Sequence, residues 1–128
     1  MKSRELTHET LKECRQKLLI MKQDILNRVR ASAQNFSQSR SIASTSGDEA
    51  DQTVAQLEEH EFLISQERMR HHLREIELAL ARLQDGTFGI CEETEEQIEA
   101  ERLLAVPWTR LSIEGAEIRE ALSRKFAR

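Results

Sequence analysis

The sequence predicts an all-α protein: a long antiparallel coiled-coil hairpin followed by a small globular end and a C-terminal helix. Three observations carry this. Of 128 residues a third are charged, 4% are aromatic and one is proline, a composition that favours long helices over a large globular core. Apolar residues recur at alternating three- and four-residue steps along two long segments, the spacing of a coiled-coil seam. Start and stop signals bracket those segments.

The first helix is predicted over about Thr7 to Ala33. Leu11, Cys14, Leu18, Met21 and Ile25 form its a/d stripe. In strict register the stripe then meets Arg28 and Ser32, with Val29 the nearest apolar substitute, so the seam fades toward the end. Thr7 is a candidate N-cap, and Leu6 and Leu11 are spaced for a hydrophobic staple. From Asn35 to Gly47 the pattern collapses into a serine-rich stretch that reads as a turn or flexible tip.

A second start signal, Ser46-x-x-Glu49, opens a helix predicted to run to about Gln84. Phe62, Met69, Leu73, Ile76, Leu80 and Leu83 lie on its stripe, and Asp85-Gly86 ends it. Two such helices joined by one loop bury their stripes by folding back on each other or by pairing with another chain. The hairpin is the simpler solution, with a shared length of roughly 40 Å at 1.5 Å per residue. Asp48, Glu49 and Asp51 then fall in the first turn of the second helix, where the helix dipole alone favours acids. At the end of a hairpin they are also placed to meet a cationic or metal-containing site. The expected division is a hairpin over 1–85, with its acidic tip near 47–53, and a subdomain over 86–128.

That subdomain carries the outline of a four-ligand zinc finger, Cys91-x-x-Thr94, a gap, then Ser112-x-x-Gly115, in which only Cys91 is able to coordinate. The fold class is therefore completed by a degenerate zinc-finger-like end. Thr94-x-x-Gln97 reads as a capping box and Ser112 as the cap of the following helix, roles both residues would fill equally in a region that never held zinc. A cap is worth about 1 kcal/mol against the ~10–16 kcal/mol of a structural zinc. Packing must supply the rest, and Leu103, Leu104, Val106, Trp108, Leu111, Ile113, Ile118, Leu122 and Phe126 are available for it.

The net charge of −4 hides an asymmetry: residues 1–36 hold eight basic and four acidic residues, residues 48–85 four basic and ten acidic. An acidic chain with few aromatics is a poor ligand for a nucleic-acid backbone, so a protein partner is expected. Cys14 and Cys91 make no disulfide framework, pointing to a reducing, cytoplasmic setting. No apolar run reaches the roughly 18–20 residues that span a bilayer, and the first residues lack a signal peptide's apolar stretch. No catalytic constellation is evident. His71 and His72 are adjacent on a helix and point about 100° apart, and His8 and His60 are isolated. Glu92, Glu93, Glu95 and Glu96 read as solvated acids at the start of a helix rather than a cation site.

With these motifs on the page, the chain resembles the DksA/TraR family of bacterial transcription factors that bind RNA polymerase. The resemblance rests on the acidic Asp48-Glu49-Ala50-Asp51-Gln52-Thr53, the helix after it, the aromatic-Gly-x-Cys entry Gly86-Thr87-Phe88-Gly89-Ile90-Cys91, and the segment Ile98 to Pro107 with Arg102-Leu103 and Ala105-x-Pro107. Counted from Cys91, the family's remaining zinc-ligand positions fall on Thr94, Ser112 and Gly115, so the chain is similar to the family's zinc-independent variants. Thr53 stands where the family tip usually has alanine.

The resemblance implies a factor whose hairpin enters the secondary channel of RNA polymerase, bringing Asp48 and Asp51 near the active centre and changing open-complex lifetime without reading DNA sequence. Arg68, Arg70 and Arg74 are candidates for contacts to the channel rim, with a solvated helix face as the alternative. The positions that hold basic residues for the alarmone ppGpp in well-known members carry Glu75, Val106 and Ala116, which offer little to a polyanion. No cofactor is therefore expected, with zinc absent and ppGpp dependence weak or absent. The hairpin predicts a monomer, whereas the alternative, a structural or adaptor coiled coil, predicts a dimer.

Overall fold

The computed structural model describes residues 6–43 and 49–126. They form α1 (His8–Ala43), α2 (Glu49–Asp85), α3 (Ala100–Ala105) and α4 (Ile113–Phe126). An isolated antiparallel bridge joins Ile90 to Gln97. The residues fall into two compact units, Lys22–Arg74 in one, those up to Met21 and from Glu75 onward in the other.

In the unit of Lys22–Arg74, α1 and α2 pack antiparallel. Gln66 Nε2 donates to the Val29 carbonyl at 3.4 Å, the Phe36 and Phe62 rings stack 4.1 Å apart and 5° from parallel, and Arg40 pairs with Glu59. Partner numbers rise on α1 as they fall on α2. Ile25 is buried on the expected stripe. So is Gln66, which fills the seam position between Phe62 and Met69 that the apolar pattern skips. A polar side chain at a seam position costs stability and fixes register.

The first helix does not stop near Ala33. It continues through the serine-rich stretch to Ala43, because Phe36 and Arg40 fall back on the seam after Val29 and Ser32. The aromatic stack is worth about 0.5–1.5 kcal/mol beyond its burial. The Arg40 guanidinium adds a cation–π contact 5.2 Å from the Phe36 centroid. Ser37, Ser39 and Ser41 face solvent, where their low helix propensity costs only tenths of a kcal/mol each. The Ser46 start signal lies outside the described residues.

In the other unit, Thr7 caps α1 as its sequence suggests. Its Oγ1 accepts from the Thr10 amide at 3.1 Å. Cys14, Leu18, Ile76 and Ala79 are fully buried, and each large aliphatic among them contributes about 1.5–3 kcal/mol. α2 ends at Asp85 in a Schellman arrangement: Gly86 takes φ +79° and the Thr87 amide donates to the Arg82 carbonyl at 3.0 Å. The small core of the C-terminal part is Phe88, Cys91, Ile98, Leu103 and Pro107. Gly89 has φ +87°, and a β-carbon there would strike Leu6.

Two expectations for this part fail. Thr94 and Gln97 form no capping box, because the chain turns back at Glu95, whose φ is +61°, and α3 begins only at Ala100 with no side-chain cap. The apolar residues expected to pack divide unevenly. Leu103 is buried and Leu104, Val106, Trp108 and Leu111 are half-buried, but Ile113, Ile118, Leu122 and Phe126 are exposed along α4, Phe126 by 77%.

Candidate functional site

The acidic turn belongs to the unit of Lys22–Arg74. Asp51 and Thr53 lie in the opening turns of α2 with exposed side chains. Asp48, the other acid singled out by the sequence, lies outside the described residues. Arg68, Arg70 and Arg74 are all exposed. A four-residue step sets Arg70 and Arg74 on one face, and Arg68 points elsewhere. The three do not form one patch. Burial, with His71 and Arg28 nearby, holds His72 below the ordinary imidazole value, consistent with a side chain serving packing.

The zinc-finger outline belongs to the other unit, and the structure brings its four positions together. Cys91 is 1% exposed. The Thr94 amide points at its sulfur at 3.5 Å, and the Ser112 hydroxyl donates to the same sulfur at 3.5 Å. Gly115 packs so closely that a β-carbon on it would collide with Cys91 Sγ. The turn carrying these contacts is fixed by backbone bonds from Cys91 to the Glu96 carbonyl at 2.8 Å, from Glu95 to the Cys91 carbonyl at 2.9 Å and from Ile98 to the Gly89 carbonyl at 2.7 Å. Burial pushes the Cys91 thiol up, but hydrogen bonds involving Ser112 and Thr94 outweigh it and draw the thiol down to about 6.

Ser112 has a second task, as the sequence predicts. Its Oγ accepts from the Gly115 amide at 3.0 Å and its carbonyl accepts from Ala116 at 2.9 Å, so it caps α4. One residue therefore ties the start of α4 to the buried sulfur.

This donor set does not fit zinc. A tetrahedral structural site takes four thiolate or imidazole donors. These positions offer one thiol, two hydroxyls and a hydrogen atom, and the sulfur already fills the space a fourth side chain would use. Among the described residues no three His, Cys, Asp or Glu side chains are grouped to hold a metal. The acids after Cys91 do not open a helix, since α3 begins at Ala100: Glu92 lies 3.5 Å from Arg110 and Glu93 pairs with Arg119 at 3.1 Å, while Glu95 and Glu96 are exposed as the sequence reading has them.

Polar side chains tie the segment after Asp85 to the long helices. From α1, Cys14 donates to the Leu103 carbonyl at 3.6 Å and Lys17 to the Leu104 carbonyl at 2.8 Å. From α2, Glu75 accepts two bonds from Arg110, at 2.8 and 2.6 Å. This raises the Arg110 guanidinium above its ordinary value, mainly through those hydrogen bonds. Arg82 reaches the Trp108 and Thr109 carbonyls at 3.4 and 3.5 Å. Sequence reasoning missed Lys17, Arg82 and Arg110, which belong to no motif or seam. For Arg82 the only signal is a cation in the last turn of α2.

Residues 86–121 match the prokaryotic dksA/traR C4-type zinc finger family. The RNA polymerase-binding transcription factor DksA of Caulobacter vibrioides is 34% identical over 110 residues, 86% of this chain and 75% of that protein. This chain belongs to the DksA/TraR family. The structure of transcription factor DksA2 from Pseudomonas aeruginosa matches with a TM-score of 0.80 at 29% identity, covering 93% of this chain and 89% of that one. General stress protein 16O of Bacillus subtilis is 46% identical over a shorter stretch of 46 residues, 36% of this chain and 28% of that protein. The family and the coiled-coil fold expected from the sequence both hold. The matched residues 86–121 include Cys91, Thr94, Ser112 and Gly115. No helix among the described residues is long and apolar enough to cross a membrane.

Proposed function

We propose that the chain is a transcription regulator that binds bacterial RNA polymerase, inserts its α1–α2 connection through the secondary channel, and changes open-complex stability without zinc. What supports this most is the similarity to DksA over most of the chain, joined to an exposed Asp51 in the first turn of α2. Asp48, Asp51 and Thr53 are the residues that approach the active centre, and Arg68, Arg70 and Arg74 touch the channel rim from different sides of α2.

The mechanism is a difference in affinity. A bound factor shifts polymerase between initiation states only as far as it prefers one of them, and a preference of about 1.4 kcal/mol changes the population ratio tenfold. Two or three carboxylates placed beside a cationic or metal-containing centre supply such a preference when that centre rearranges between states. The zinc-free subdomain keeps its shape through the Cys91, Ser112 and Gly115 contacts and the Arg110–Glu75 pair. Glu75 is held by Arg110 and offers a polyphosphate no positive charge, so alarmone dependence is weak or absent. The factor acts as a monomer that leaves promoter sequence unread and catalyses no reaction of its own.

A photo-crosslinker at Thr53 tests the placement. It should label the polymerase subunits that line the active centre, and a crosslinker at Arg124 should not. Equal labelling from both, or none, would contradict insertion. The exposed Val54, Leu57, Leu63 and Ile64 on α2 favour a second reading, an adaptor that dimerises through this helix. Sedimentation decides it, since the adaptor requires a concentration-dependent dimer.

A further inference from the structure

We infer that Phe36, Arg40, Glu59 and Phe62 form a clasp that positions the acidic turn, and that these residues set how strongly a bound factor acts rather than how tightly it binds. The inference rests on the functional reading above. Its structural half stands on the unit of Lys22–Arg74 alone.

The clasp is compact. Phe36 and Phe62 stack 4.1 Å apart, Arg40 lies 5.2 Å over the outer ring of that stack, and the same guanidinium pairs with Glu59. Each group holds another: Phe62 orients Phe36, Phe36 orients Arg40, and Arg40 reaches across to Glu59. Four side chains thus join α1 to α2 at two successive levels.

Its place along the helices gives it consequence. Arg40 is three residues before the end of α1 at Ala43, and Glu59 is about 12 Å along α2 from Asp51 at the α-helical rise. Between Phe36 and the end of α1 the sequence is Ser37, Gln38, Ser39, Arg40, Ser41, Ile42 and Ala43. Serines compete for their own backbone and weaken helices. On intrinsic preference this stretch would fray, and fraying would lengthen the connection and free the start of α2. The clasp opposes that fraying, so the length of the connection and the direction of Asp51 depend on it.

No member of the clasp needs to touch polymerase. A loosened clasp leaves the rest of the protein intact and spreads Asp51 over many positions, so the bound factor loses effect before it loses affinity. The Arg40–Glu59 pair is exposed and therefore screened by salt. The ring stack is not.

The experiment uses the full chain as wild type, Arg40→Ala, Phe36→Leu, and the charge-swapped pair Arg40→Glu with Glu59→Arg. Amide hydrogen exchange of residues 36–41 is measured in the free protein. Polymerase affinity and open-complex lifetime at saturating factor are then measured for each variant. Exchange should quicken at least tenfold in Arg40→Ala and Phe36→Leu, with affinity within about twofold of wild type and the lifetime effect at saturation cut severalfold; the swapped pair should recover most of the protection and the effect. Unchanged exchange in both single variants would overturn the clasp. A lifetime effect that falls only in proportion to affinity would overturn positioning. If wild type binds polymerase but leaves lifetime unchanged while exchange responds as expected, the functional reading falls and takes the positioning role with it, leaving a clasp that only stabilises the helices.

Discussion

The sulfur of Cys91 occupies the space into which a side chain on Gly115 would project. In a four-ligand finger two such positions face a shared metal. Here the space beside Gly115 receives the Cys91 sulfur, and Ser112 closes the contact by donating to the same sulfur.

Gly115→Ala should therefore destabilise the protein although it replaces glycine with a better helix former inside α4. Overpacking of this kind costs about 1–3 kcal/mol, more than the ~1 kcal/mol of propensity gained. Urea unfolding followed by circular dichroism checks it. Cys91→Ala in the same chain should recover part of the loss by vacating the contested volume, and a neutral Gly115→Ala would show that the contact is slack.

The Cys91 thiol, drawn down to about 6, links stability to pH. Its folded value lies below that of an unfolded thiol, about 8.5. The contribution is thus complete above the unfolded value and is lost as pH falls through 6. Between about pH 6 and pH 8.5 the stability of wild type should rise relative to Cys91→Ala. Melting temperatures of the two proteins across that range give the answer, and parallel curves would mean that the thiol stays neutral. Thiolate ultraviolet absorbance of the folded protein should titrate around pH 6, while alkylation stays slow because the sulfur is buried.

Removal of metal should change nothing. Zinc sites of this class contribute ~10–16 kcal/mol of apparent binding energy to their fold, so a chain that depended on zinc would unfold in a strong chelator. Equal melting curves with and without chelator, and less than one zinc per chain after purification, are the expected result. A chelator-dependent loss of helicity would mean that other ligands assemble around Cys91.

Glu75→Gln removes the charge that holds Arg110. The guanidinium is about a third exposed, with its side chain at 34% and that of Glu75 at 18%, so solvent screening limits the loss to about 1 kcal/mol. Thermal unfolding at low and high salt tests this, with the difference from wild type shrinking as salt rises. If the pair serves only the fold, Arg110→Ala should cost a similar amount and leave polymerase binding in place.

Much of this was legible in the sequence because its signals are local or periodic. Leu11, Cys14, Leu18 and Ile25 announce α1, Thr7 and Gly86 mark helix ends, and Ser112 is the cap it looks like. The failures lie where a tertiary contact overrides a local preference. Serines from Ser37 to Ser41 read as loop, and two partners on α2, Phe62 and Glu59, keep them helical. Thr94 and Gln97 match a capping box in spacing, yet the backbone bonds of the Cys91 turn take precedence and no helix follows. Ile118, Leu122 and Phe126 have the period of a buried face and are exposed, since period shows which residues share a face and not whether anything covers it. Within the candidate site, Cys91, Thr94, Ser112 and Gly115 were singled out by their spacing together with the family resemblance. Arg110, Arg82 and Lys17 follow no spacing rule, because a long cation reaches its carbonyl or carboxylate through the fold and not along the chain.

The most direct test of the central claim is the lifetime of open complexes formed by bacterial RNA polymerase on a ribosomal promoter, with magnesium as the only added metal, for wild type and Asp51→Asn. The account predicts that wild type shortens the lifetime and that Asp51→Asn abolishes the effect while still binding polymerase. An unchanged lifetime with wild type bound, or an equal effect from Asp51→Asn, would contradict it.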